Sequence, residues 1–148
     1  MKILPIIWQR LVTPKGETCE RCGNTYMEML RAVETLREQL SPLGIEPVLR
    51  TKIISEQEFK AHPQESNRIW IADKPLEEWL DANVGQSQCC AACGDANCRT
   101  LELDTTVYES IPQELIIQAA LKAAAFIDSN KYQSEPNAID VASRLKGE

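Results

Sequence analysis

Thr18-Cys19-Glu20-Arg21-Cys22-Gly23-Asn24 links an apolar run over residues 3–11 to a segment whose apolar residues recur at helical spacing from Tyr26 onward. Read in that setting, the tetrapeptide places two sulfurs where a strand ends and a helix starts. A thiol there faces unpaired backbone N–H groups and the positive end of the helix macrodipole, which favour thiolate over thiol. The expected order of strand, Cys-x-x-Cys and helix decides how the remaining chain is read.

Upstream, Ile3-Leu4-Pro5-Ile6-Ile7-Trp8-Gln9-Arg10-Leu11 is almost continuously apolar, as a central strand buried on both faces would be. Pro14 and Gly16 mark a loop before Cys19. Downstream, Tyr26, Leu30, Val33 and Leu40, joined by Met29 and Leu36, form the stripe of a helix that Pro42 and Gly44 stop near Ser41. Residues 45–54 read as a second strand with Ile45, Leu49 and Ile53 on one face, and Pro47 near its start implies an edge strand or one that enters the sheet late. Ser55 with Glu58 three residues on is a capping box, so a short helix follows through Phe59 and ends before Pro63. The strand-helix-strand alternation up to this point is the βαβ pattern of a parallel sheet, and Ile69-Trp70-Ile71 makes a third strand.

Asp73-Lys74-Pro75 predicts a turn, with Pro75 in the first turn of a short helix containing Trp79. Residues 85–98 are polar and aperiodic and hold Cys89, Cys90, Cys93 and Cys98. Leu101 and Leu103 alternate with Thr100 and Glu102 in a half-buried strand, and Val107-Tyr108 supplies its hairpin partner. Ser110 is the expected cap of a closing helix with Pro112 in its first turn. Leu115, Ile116, Ala119, Ala120, Ala123, Phe126 and Ile127 form that helix's apolar face. The predicted organisation is one α/β domain over 1–128, with a cysteine-rich insertion at about 73–98 and a polar tail over 129–148.

A hydrophobic fraction of 43% over 148 residues is sufficient for a core without covalent staples. The formal net charge of -6 argues against nucleic acid and anionic membranes as partners, because phosphate recognition needs a basic surface. The apolar N-terminal run is broken by Pro5 and lacks a small-residue cleavage site, so it reads as a strand rather than a leader. No segment approaches the roughly 20 apolar residues of a membrane span. A cytoplasmic location is the expectation, and there six cysteines point to catalysis or metal binding more than to a disulfide framework.

The element order resembles the thioredoxin fold, a mixed sheet flanked by helices. The closer resemblance is to an uncharacterised prokaryotic thioredoxin-like family, a domain of unknown function. The residues that carry it are Trp8-Gln9-Arg10-Leu11, Thr18-Cys19-Glu20-Arg21-Cys22-Gly23, Glu65-Ser66-Asn67-Arg68-Ile69 and the stretch from Cys89 to Arg99. In active thioredoxin-like oxidoreductases a cis-proline precedes the third strand and faces the Cys-x-x-Cys. Here Ser66-Asn67-Arg68 occupies the corresponding place, which makes ordinary disulfide exchange less secure and metal capture easier.

Two chemistries follow for the cysteines. In thiol-disulfide exchange Cys19 attacks and Cys22 resolves the mixed disulfide, with Arg21 favouring the thiolate and Glu17 and Glu20 opposing it. In metal binding, Cys-x-x-Cys-Gly is also a zinc-knuckle geometry, and Cys90-Ala91-Ala92-Cys93-Gly94 repeats it, with Cys98 or Cys89 as further ligands. If the clusters meet in space, the six thiols could relay electrons or trap zinc, mercury, arsenite or copper(I). Protein disulfides or soft metal ions are thus the expected partners, and zinc the expected cofactor if any. His62, the sole histidine, precedes Pro63 and reads as an exposed loop residue.

Overall fold

In the computed structural model, residues 1–12, 16, 20–88 and 97–133 are described, and the chain is a mixed α/β protein. Strand β1 (Lys2–Leu11) is followed by helix α1 (Glu20–Leu40), a 3-10 turn (Ser41–Leu43) and β2 (Ile45–Ile54). Gly44 leaves the 3-10 turn in the left-handed region at φ 70° and donates its N–H to Ser41 O, a conformation that costs glycine little. Helix α2 (Glu56–Ala61) and a 3-10 turn (Pro63–Glu65) lead to β3 (Arg68–Ile71).

Strand β2 runs parallel to β1, and β3 runs antiparallel on the other side of β1. Strand β2 lies at the edge of this sheet, one of the two placements open to a strand with Pro47 near its start. The capping box also forms: Ser55 Oγ accepts from Glu58 N, and Glu58 Oε1 accepts from Ser55 N.

Between residues 72 and 88 the structure differs from the sequence expectation. The turn is Ala72-Asp73, both at positive φ, and it pairs β3 with a two-residue strand β4 (Lys74–Pro75). Two left-handed residues suit a tight hairpin because their twist matches that of the flanking strands. Pro75 ends β4 and serves as N-cap of α3 (Leu76–Leu80). The sheet order is therefore β2-β1-β3-β4.

The expected aperiodic stretch begins instead with a strand, β5 (Asn83–Gln88), paired antiparallel with β6 (Asn97–Leu103), which in turn pairs with β7 (Thr106–Tyr108). Gly85 opposes Thr100, and a side chain there would run into the Glu102 carboxylate. Its polar sequence hid the strand because both faces of β5 are exposed or half-buried.

The core lies chiefly under α1 and α4 (Gln113–Gln133), which pack on one another. In α1 the buried stripe is Cys22, Thr25, Met29, Ala32, Val33, Leu36 and Leu40, while Tyr26 and Leu30 are partly exposed. The stripe is thus rotated from the sequence reading. Each large aliphatic side chain buried there contributes about 1.5–3 kcal/mol. In β1, Leu4, Ile6 and Trp8 are buried on one face, whereas Ile3 is exposed on the other and Pro5 and Ile7 are half-buried, so the strand is not buried equally on both faces. Ile53 and Phe126 likewise turn outward.

Helix α4 is not capped by Ser110, whose hydroxyl donates to Arg21 O. Pro112 supplies the first carbonyl of the helix, to Leu115 N and Ile116 N, and the Gln113 N–H donates to Glu28 Oε1 of α1 at 2.8 Å. That hydrogen bond, reinforced by Arg31, holds the Glu28 carboxyl below its ordinary value of 4.5 against the opposing effect of burial. A lowered carboxylate pKa contributes stability that is complete above the ordinary value and is lost as pH falls through the folded one. Glu28→Ala is expected to destabilise the protein by about 1 kcal/mol at neutral pH, with the difference in urea midpoint shrinking towards pH 3.

Candidate functional site

Four segments far apart in sequence meet at the C-terminal end of β1. Helix α1 begins at Glu20, so Cys22 is its third residue and heads the buried stripe. Its sulfur is 2% exposed as part of that residue and lies 3.5 Å from Ser66 Oγ. Ser66 stands just before β3 and is itself buried, and its Oγ accepts the N–H of Leu11 at 3.0 Å. The last residue of β1, the loop before β3 and the first turn of α1 are thereby tied through one hydroxyl.

Asn67 fixes that loop. Its φ is 62°, and none of the described peptide bonds is cis. Asparagine tolerates the left-handed region better than most residues because its short side chain bonds locally. Here the carboxamide bonds at long range instead: Trp8 Nε1 donates to Oδ1 at 3.0 Å, and Nδ2 donates to Glu109 O. Trp8 stacks on Tyr26 with centroids 5.1 Å apart, and the Arg10 guanidinium lies over its indole. On the neighbouring residue, Gln9 Nε2 donates to Glu65 O and Oε1. Two of the stretches behind the family resemblance, at 8–11 and 65–69, are therefore hydrogen-bonded to each other.

Arg21 joins this centre to the second sheet. Its side chain is 11% exposed and donates to Ser87 Oγ at 2.8 Å, to the Ser87 and Gln88 carbonyls, and to Glu109 Oε2 at 3.1 Å. The guanidinium is thus directed onto the end of β5 and a carboxylate. The adjoining segment docks on α1 as well, with Ile111 N donating to Thr25 Oγ1 at 3.0 Å. Thr25 was not singled out by sequence reasoning, and Ser66 entered it only as part of the stretch Ser66-Asn67-Arg68. For Thr25 the signal was present, since it lies between Cys22 and Met29 at the spacing of the buried stripe.

Cys98 lies in β6 opposite Ser87, is buried at 3% exposure and is disulfide-bonded. Like Cys22, it is part of the hydrophobic core. Its neighbour Arg99 donates to Gln64 O at 2.8 Å and to Glu77 Oε2 at 2.7 Å. Burial pushes the Arg99 guanidinium below its ordinary value, while the Glu77 carboxylate opposes that shift. The insertion therefore returns to the Cys-x-x-Cys end of the sheet: Ser87 touches Arg21 on one side and pairs with Cys98 on the other.

Cys19, Cys89, Cys90 and Cys93 lie outside the described residues. Among the described residues no three His, Cys, Asp or Glu side chains converge as a metal site. His62 is exposed, at the C-cap of α2, beside an open groove of about 610 Å³ lined by Gln9, Ile54, Glu58 and Glu65 among others. No described helix is long and apolar enough to cross a membrane.

The model of the family described as "Domain of unknown function (DUF2703)" matches residues 4–120. The chain belongs to that family. The matched DUF2703 span contains the whole hydrogen-bonded centre and both cysteine clusters. A protein of Archaeoglobus fulgidus, named "Uncharacterized protein", is 44% identical over 113 residues, covering 76% of this chain and 82% of its own length. No solved structure matches this DUF2703 chain.

Proposed function

We propose that this DUF2703 protein is a cytoplasmic, thioredoxin-like thiol protein that exchanges disulfides through Cys19 and Cys22, assisted by the second cysteine cluster. The observation that carries the reading is the placement of Cys22, buried in the first turn of α1 with its sulfur against the Ser66 hydroxyl. A buried sulfur three residues after an attacking cysteine suits a resolving role.

In the proposed step the Cys19 thiolate attacks one sulfur of a protein disulfide, and the other sulfur leaves as thiolate. Cys22 then loses its proton to solvent and attacks Cys19. The mixed disulfide breaks, a Cys19–Cys22 disulfide forms, and two electrons have passed to the substrate. The Cys98 disulfide offers an internal counterpart, connected to this centre through Ser87 and Arg21.

A second reading rests on the return of the insertion to the start of α1, where Arg21 bonds Ser87 and Ser87 pairs with Cys98. Cysteines of both clusters would then hold zinc or a soft ion such as mercury, arsenite or copper(I), without turnover. Thiolates are the ligands, so the Cys98 disulfide would first have to be reduced.

Insulin reduction by the reduced, metal-free protein separates the two. Activity in the wild type that is lost in Cys19→Ser is the expected result, and an inactive wild type would refute exchange. Stoichiometric metal in anaerobically purified protein, lost on either Cys22→Ser or Cys93→Ser, would favour a shared metal site instead.

A further inference from the structure

We infer that Ser66 is a working member of the thiol centre, donating its hydroxyl hydrogen to Cys22 and holding that sulfur as thiolate during the resolving step. The inference deepens the exchange reading and rests on it. Its geometric basis is a relay of two contacts. The Leu11 N–H points at Ser66 Oγ from 3.0 Å and takes one of its two acceptor positions, and toward a thiolate, which has no proton to give, the hydroxyl can only donate. The hydroxyl hydrogen is left to point elsewhere, and Cys22 Sγ lies 3.5 Å away, within reach of an O–H to sulfur bond.

Both residues are nearly inaccessible, at 1% and 2% exposure. Burial by itself favours the neutral thiol, because a charged sulfur loses its hydration. A hydrogen bond donated to the charged form acts in the opposite direction, and it is stronger where water is excluded. The position of Cys22 in the first turn of α1 adds the positive end of the helix dipole. Ser66 and the helix terminus thus offset the cost of burial at the one sulfur that must ionise away from solvent.

The hydroxyl cannot wander from this position. Ser66 N donates to Pro63 O, the following residue is fixed by the Trp8 to Asn67 hydrogen bond, and the Leu11 N–H holds the oxygen itself. Sequence reasoning treated Ser66 only as part of a stretch lacking proline. In the structure that stretch places a hydroxyl against the buried sulfur.

In the resolving step Cys22 gives up its proton to solvent. Its electron pair forms the bond to Cys19, and the bond from Cys19 to the substrate sulfur breaks with release of a thiolate. Ser66 keeps its own proton throughout and strengthens its bond to Cys22 only while that sulfur is charged. The attack by Cys19 precedes this and does not require Ser66.

Ellman's reagent separates the two steps in one stopped-flow trace with reduced, full-length protein. Attack by Cys19 releases a first thionitrobenzoate at a rate proportional to reagent, and resolution by Cys22 releases a second at a rate independent of it. Ser66→Ala is expected to leave the first phase within about twofold and slow the second about tenfold at pH 7, with its pH midpoint displaced upward by about one unit. Ser66→Thr, which keeps the hydroxyl, should restore the second phase. If the alanine variant does not fold, Ser66→Thr against Ser66→Val makes the same comparison at matched shape. A second phase indifferent to loss of the hydroxyl would overturn the role of Ser66 and leave exchange standing. Absence of a second phase in the wild type would overturn exchange and this role together.

Discussion

Cys22→Ser should arrest disulfide reduction after its first chemical step, with the protein accumulating as a mixed disulfide on Cys19. Intramolecular resolution benefits from a large effective concentration, so turnover dependent on external thiol alone should fall by at least about 100-fold. The substitution is close to isosteric, and the serine remains beside Ser66 in a site already built from hydroxyl and thiol. Stability should change little while activity collapses, a combination that distinguishes a reacting sulfur from a packing one. Intact-protein mass spectrometry would show one substrate adduct per chain in Cys22→Ser and none in Cys19→Ser. Wild-type turnover in Cys22→Ser would remove Cys22 from the reaction.

Glu77→Ala should destabilise the fold by about 3 kcal/mol. Glu77 and Arg99 are 17% and 10% exposed at their side chains, and their contact joins α3 to β6. Truncating the carboxylate leaves the Arg99 guanidinium with the Gln64 carbonyl but without its counter-charge. The loss should exceed that of truncating an exposed pair such as Arg31 with Glu28, where solvent already screens the charges. Replacing both Arg99 and Glu77 by leucine should recover much of the loss, because the double substitution strands no buried charge. Urea unfolding of the two single variants and the double variant measures the coupling. A cost below about 1 kcal/mol for Glu77→Ala would mean that solvent reaches Arg99 more freely than its burial implies.

Arg99 carries this load because it follows Cys98 on β6. The same strand that positions a disulfide in the core therefore fastens the second sheet, through Gln64, to the loop that presents Ser66. Loosening the ion pair should affect the thiol centre as well as the fold. Arg21 makes the corresponding connection from the other side, through Ser87, Gln88 and Glu109.

Local signals in the chain were enough for β1, β2, the capped helix α2, the β6–β7 hairpin and the two long helices. Each depends on residues near one another in sequence, such as the reciprocal Ser55 and Glu58 bonds or the Pro47 that belongs on an edge. The place of Cys22 in the first turn of the long helix was legible for the same reason. Strand β5 was not, because Asn83-Val84-Gly85-Gln86-Ser87-Gln88 has no apolar face and is held by its partner strand. Strand β4 was missed because two left-handed residues, Ala72 and Asp73, make a hairpin that neither composition nor periodicity signals. The outward turn of Tyr26, Leu30, Ile53 and Phe126 shows how little apolar character says about which side of an element finds a cover.

By itself the sequence determined that Arg21 and Cys22 would lie in the first turn of a long helix that follows the first strand, since strand and helix are specified by neighbouring residues. Only the tertiary structure decided what surrounds Cys22 and where the insertion returns. Ser66 is 44 residues from Cys22, Ser87 is 66 from Arg21, and Glu109 is 88 from Arg21. Contacts over such separations arise from the antiparallel return of β3 and the pairing of β5 with β6, and no local pattern in the chain encodes them.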